Sequence, residues 1–197
     1  MTQPSDIFAV HLPCIVSVTG LKKSGKTTVV EALLAELTSR GKRVSSLKKM
    51  EHGALDPDPQ GTDTRHHADA GAEVVLALLG RETVRFERVS VPPSLQSIAA
   101  HLPRGTDFLV CEGIVDPAAP QAIVVCLQKS SDWEETMRVR KIREGQVLAV
   151  SGVAAGGIAL GDTLSPDGIP MFDVGDQRQR SALADLVIKK ACPDVES

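Results

Sequence analysis

Eight consecutive residues could do chemistry together: Gly20-Leu21-Lys22-Lys23-Ser24-Gly25-Lys26-Thr27, with Thr28 directly after them. They fit G-x-x-x-x-G-K-[ST] without a mismatch, the pattern of a loop that holds the phosphates of a nucleoside triphosphate. The spacing has a physical reason. Glycines let the backbone curl so that successive N–H groups point at phosphate oxygens. A helix starting near Gly25 adds its positive N-terminal end. Lys26 then reaches the β- and γ-phosphates, and the Thr27 hydroxyl is placed to ligate Mg²⁺. Lys22 and Lys23 either neutralise further phosphate charge or are solvated loop lysines. Leu21 stands where deviant loops of this kind carry a second signature lysine.

Such a cradle needs an acidic group near the metal and the attacking water. Glu112 follows the apolar run Phe108-Leu109-Val110-Cys111. It therefore stands at the carboxyl end of an expected strand, where ligands bind in parallel sheets. Asp63, in Gly61-Thr62-Asp63-Thr64, is a second candidate, either for Mg²⁺ or as the cap of the next helix. Asp132, four residues after Gln128, is the nearest trace of a guanine-reading element, one residue too far along to match Asn-Lys-x-Asp. His52, His66 and His67 lack the spacing of a zinc site, because adjacent histidines on a helix point to different faces.

The elements that must position these groups read as α/β. Cys14–Val18 is a β-branched run expected to be a buried strand. Residues 26–40 have helical spacing at Val30, Leu33, Leu34 and Leu37, with Gly41 as the stop. Residues 43–48 begin a second strand, which gives a right-handed β-loop-α-β unit. Residues 51–63 are an exposed loop, and 64–70 a short helix. Residues 73–79 and 83–89 form a hairpin about Gly80-Arg81. A helix over 94–102 and strands over 107–111 and 122–127 follow. Beyond them come a helix over 132–141, a strand over 147–150, a loop or weak hairpin over 154–169 and a short strand over 171–174. The closing helix starts at Asp176 with Gln179 in a capping-box pattern. The expected fold is a three-layer sandwich with a mostly parallel central sheet plus a β-hairpin extension. It occupies 1–197 as a single domain, within which 128–170 is an uncertain insertion or subdomain.

Composition narrows the function classes. Hydrophobic residues make up 42% of the chain, enough for a sizeable core, and the formal charge of −3 gives no general affinity for nucleic acid. With no Tyr and one Trp, stacking platforms for single strands are hard to build. No apolar run approaches a membrane span, and residues 1–11 lack a secretory pattern. Cys14, Cys111, Cys126 and Cys192 contain no C-x-x-C pair and are expected to be buried and reduced, in keeping with a cytoplasmic protein.

With these residues in place, the chain resembles the MobB family of molybdopterin-guanine dinucleotide biosynthesis adapter proteins. The resemblance rests on Gly20 to Thr28, on Lys49-Met50-Glu51-His52-Gly53 after the second strand, and on Asp56, Asp58 and Gly61-Thr62-Asp63-Thr64. It continues through Arg65 to Ala72, Glu112-Gly113-Ile114-Val115 and Phe172-Asp173-Val174. It covers roughly Cys14 to Val125 and the closing segment. Of the family's histidine cluster only His52 remains, and Val115 replaces a usual lysine. The resemblance implies binding of GTP with Mg²⁺, slow hydrolysis at most, and a homodimer. Its implied partners are a molybdopterin guanylyltransferase of the MobA type and molybdopterin itself. Lys49 and His52 would be part of the binding surface.

Two other functions fit the same cradle. One is a small metabolite kinase, with Arg138, Arg140 and Arg143 as a lid over the phosphates. The other is a GTPase-like regulatory switch.

Overall fold

The computed structural model describes residues 12–50, 58–164 and 168–191. The chain divides into two compact units, one of residues 1–49 with 94–197 and one of residues 50–93. Residues 128–164 belong to the first unit and supply one strand of its sheet.

The first unit is built on five parallel strands: β1 (Cys14–Gly20), β2 (Val44–Lys48), β5 (Phe108–Glu112), β6 (Ala122–Cys126) and β7 (Val147–Ser151). Their order across the sheet is β2-β5-β1-β6-β7. β1 lies at the centre, and its run of β-branched residues is buried from Ile15 onward, as a strand covered on both faces requires. Helices α1 (Lys26–Ser39) and α5 (Gln177–Ala191) cover one face. There Val29, Leu33 and Leu37 of α1 meet Val16, Val18, Phe108 and Val110 of the sheet and Leu183 and Val187 of α5. Helices α3 (Leu95–Ala99) and α4 (Trp133–Arg140) cover the other. Leu95 and Ala99 pack with Ile15, Leu109 and Cys111, and Met137 packs with Ile123, Val125 and Val150. Alternation along each strand thus divides the core into two layers, and the expected three-layer architecture is what forms.

The second unit is a hairpin, β3 (Val74–Leu79) with β4 (Glu82–Glu87), beside the short helix α2 (Asp63–Asp69). Its antiparallel register pairs Leu79 with Glu82 around Gly80-Arg81, at the place the sequence indicates.

Four expectations change. Asp63 does not cap α2: Thr62 does, its Oγ1 accepting from Arg65 N, and Asp63 is the first helical residue. The expected strand at 171–174 reduces to a single parallel bridge from Met171 to Val150. The Asp173 carboxylate accepts from Gly175 N and Gly157 N, which turns the chain away from the sheet edge into α5. The capping box of α5 is half made: Asp176 Oδ1 accepts from Gln179 N, but Gln179 Oε1 accepts from Asp173 N instead. Cys14 is disulfide-bonded, whereas Cys111 and Cys126 are free, buried thiols pushed up to about 12 by burial.

Candidate functional site

The loop between β1 and α1 has the shape the pattern demands. A Cβ on Gly20 would stand 2.2 Å from the Cys126 carbonyl oxygen, so only glycine lets the loop leave β1 this close to β6. Gly25 is in the left-handed region at φ 86° and is the N-cap of α1, with no side chain bonding to the exposed helix end. A helix end capped by glycine, without a capping side chain, is the kind of place where anions bind. Lys23 is also left-handed, at φ 61°, which costs a non-glycine residue on the order of 1 kcal/mol. A sharp reversal with a strained lysine is the kind of curl that can aim backbone N–H groups at an anion. Inside it, Ser24 Oγ donates to the Leu21 carbonyl at 2.9 Å and Lys26 Nζ donates to the same oxygen at 2.5 Å. The ammonium is thus folded over the loop that it would share with a phosphate. Lys22, Lys23 and Thr28 are exposed on its rim.

The sheet brings Glu112 to this loop. The parallel register sets Val18 of β1 opposite Glu112 of β5, and Lys48 of β2 opposite Glu112 on the other side. Thr27 Oγ1 donates to Glu112 Oε1 at 2.9 Å, and Lys48 Nζ pairs with Glu112 Oε2 at 3.2 Å. Gly113 N donates to the Val18 carbonyl and Lys49 N to the Glu112 carbonyl, so the carboxylate stands on a fixed strand end. Lys48 lacks a sequence motif, and its signal is positional: as the last residue of β2 it is level with Glu112. A hydroxyl beside a carboxylate is a hard-oxygen donor pair of the kind Mg²⁺ takes, with phosphate oxygens and water completing its shell. Among the described residues no group of three or more His, Cys, Asp or Glu forms an all-protein metal cage.

The remaining candidates are distributed as follows. Lys49 is exposed just after β2. His52 lies outside the described residues. Asp132 ends a short 3-10 turn of Ser130–Asp132, where its Oδ2 accepts from Lys129 N at 3.0 Å. Asp63, His66 and His67 are exposed on α2, in the second unit. Arg140, one of the lid candidates, donates from Nε at 3.1 Å and from a terminal nitrogen at 2.5 Å to the Gly20 carbonyl. It ties α4 to the first residue of the loop. In the second unit, the nearly buried Asp58 accepts from the hydroxyls of Thr64 and Thr62. The Thr64 hydrogen bond, helped by Thr62, Arg65 and Arg88, holds its carboxyl below the usual carboxylate range.

Comparison with known proteins converges on one family. Residues 15–151 match the family model for molybdopterin guanine dinucleotide synthesis protein B, MobB. A Haemophilus influenzae molybdopterin-guanine dinucleotide biosynthesis adapter protein is 30% identical over 111 residues, 56% of this chain and 62% of that protein. A probable adapter protein of the same description from Bacillus subtilis is 32% identical over 139 residues, 65% of this chain and 73% of that one. The chain therefore spans under two thirds of the length of the Haemophilus relative. A solved structure of Bacillus subtilis MobB superposes with TM-score 0.62 at 25% identity, covering 89% of this chain and 96% of that one. The crystal structure of a MobB homologue from Bacillus stearothermophilus gives 0.57 at 20% identity, covering 91% and 98%. No helix among the described residues is long and apolar enough to cross a membrane. A family match over most of the chain, on a fold shared along nearly its whole length, shows that this protein belongs to the MobB family.

Proposed function

We propose that this protein is a GTP-binding adapter that assists the guanylylation of molybdopterin, working beside a guanylyltransferase of the MobA type. The observation that carries the reading is the cradle of Gly20 to Thr28 with Glu112 hydrogen-bonded to Thr27. The family membership supplies the pathway. Lys26 and the first N–H groups of α1 would bind the triphosphate, and Thr27 with Glu112 would hold Mg²⁺, which neutralises phosphate charge when bound. Asp132 is the candidate for reading guanine.

Arg140 favours the adapter over a kinase, because its guanidinium is engaged with the Gly20 carbonyl instead of standing free as a lid. Hydrolysis would be slow, with Glu112 orienting the water. The reading includes a homodimer, in keeping with the exposed hairpin leucines Leu76 and Leu78.

The test is a guanylylation assay of molybdopterin by a purified guanylyltransferase, with and without this protein. The expected outcome is faster formation of the dinucleotide with the parent protein and none of that gain with Lys26→Ala. Equal rates in all three reactions would contradict the adapter role.

A further inference from the structure

The second unit holds a cleft of about 280 Å³ that the phosphate loop does not explain. Three arginines reach it from different places: Arg65 on α2, Arg85 on β4, and Arg88 just past the end of β4. Phe86 lines it too. That ring is half-buried and stands opposite the buried Val75 in the hairpin register, so the sheet holds it in place.

Each guanidinium now leans on an exposed carboxylate. A terminal nitrogen of Arg85 donates to Glu87 Oε2 at 2.7 Å, and one of Arg88 to Asp69 Oδ1 at 2.7 Å. Arg65 Nε lies 3.4 Å from the same Asp69 oxygen. The side chains of the first two pairs are about half exposed, and ion pairs in that setting hold weakly. A phosphate group fits the planar fork of a guanidinium as well as a carboxylate does and carries more charge. It can take over from Glu87 and Asp69, which water then solvates.

The wall is not simply basic. Glu73 and Glu87 line it, as does the nearly buried Asp58, which accepts from the hydroxyls of Thr62 and Thr64. Three arginines against these three carboxylates leave no net positive charge to gather small anions. The lining instead suits a ligand with both kinds of group. The arginines offer forked donors, the carboxylates accept from ring N–H groups, and Phe86 gives a flat apolar face. The volume is at the small end of ligand sites, room for one ring system with its phosphate and too little for a dinucleotide.

We propose that this cleft binds a phosphate monoester carried on a flat heterocycle with N–H donors, with Arg85 and Arg88 on the phosphate and Phe86 against the ring. A phosphorylated pterin and a purine nucleoside monophosphate share that chemistry. The inference stands independently of the cradle: the site belongs to the second unit alone and calls for no metal.

The experiment is calorimetric titration, without Mg²⁺, of hydroxymethylpterin phosphate, GMP and inorganic phosphate. The proteins are the parent, Lys26→Ala, Arg85→Gln and Arg88→Gln. Hydrogen-exchange protection of β3 and β4 checks that the hairpin of each variant is folded, and Arg85→Gln decides alone if Arg88→Gln loses it. At least one organic phosphate should bind the parent and Lys26→Ala with affinities within about twofold, and inorganic phosphate at least about tenfold more weakly. Each folded arginine variant should bind that organic phosphate about tenfold more weakly than the parent. The tighter of the two organic probes identifies the source of the ligand. Binding that vanishes in Lys26→Ala puts the ligand in the cradle and overturns the inference, while the cradle reading stands. Unchanged affinity in the folded arginine variants, inorganic phosphate bound as tightly as the organic probes, or no binding of either organic probe also overturns it.

Discussion

At the scale of single residues, the account turns on a few side chains whose partners are visible. Glu112 shows how position and contact divide the evidence. Its place after Phe108–Cys111 is legible in the sequence, because a short apolar run ending in an acidic residue and a glycine reads as a strand delivering a carboxylate. Its contact with Thr27 and Lys48 is not legible, since it depends on the order of β2, β5 and β1 across the sheet. If Glu112 orients water at the phosphate, Glu112→Gln should cut single-turnover hydrolysis of pre-bound GTP more than it cuts GTP affinity. Hydrolysis by the parent is itself expected at about one turnover per minute or less, since residues 51–63 offer no arginine to stabilise charge on the γ-phosphate. An unchanged hydrolysis rate in Glu112→Gln would make the carboxylate a structural brace for Thr27 and Lys48.

At the scale of elements, long periodic segments were legible and small, glycine-rich ones were not. Helix α1 and the strands β1, β5 and β6 fall where apolar spacing puts them, to within two residues at each end. The segment from 152 to 176 defeats that method. Its described residues are held by side-chain-to-backbone bonds, such as those of Asp173 and Gln179, and by glycine turns that carry no period. The helix cap of α2 shows the same point in miniature. Thr62 and Asp63 are both good capping types, and Thr62 takes the role while its hydroxyl donates to Asp58.

This loop also carries a pH dependence. The folded-state pKa of Asp58 is depressed, first by Thr64. The stability it contributes is therefore fully present above its unfolded value, about 3.9, and is lost as pH falls through the lower folded value. Asp69, held down by its hydrogen bond to Arg88, acts in the same direction. Protection of residues 62–69 from hydrogen exchange should fall below about pH 4 in the parent. In Asp58→Asn that fall should be smaller, and equal falls in the two proteins would remove Asp58 as its source.

At the scale of the whole molecule, the fold class was open to a reading of the sequence, while the division into two units was not. The hairpin unit is an excursion between β2 and α3; its helix and hairpin are legible as elements, but nothing in its composition marks them off as a separate compact unit. Its leucines carry the oligomer prediction. Leu76 and Leu78 are 64% and 77% exposed and, two residues apart, share one face of β3. Sedimentation of the parent should show a dimer, and Leu78→Lys should shift it toward monomer. A parent that sediments as a monomer would contradict this part of the proposal.

The central claim is that Gly20 to Thr28 binds a nucleoside triphosphate, and calorimetric titration of GTP with Mg²⁺ into the parent and Lys26→Ala addresses it directly. Lys26 is partly exposed and bonded to the loop's own backbone, so its removal should leave the fold intact. Losing a charge-assisted contact to phosphate should cost about 1.5–3 kcal/mol, or roughly ten- to a hundredfold in affinity. Equal affinity in the two folded proteins would contradict the account.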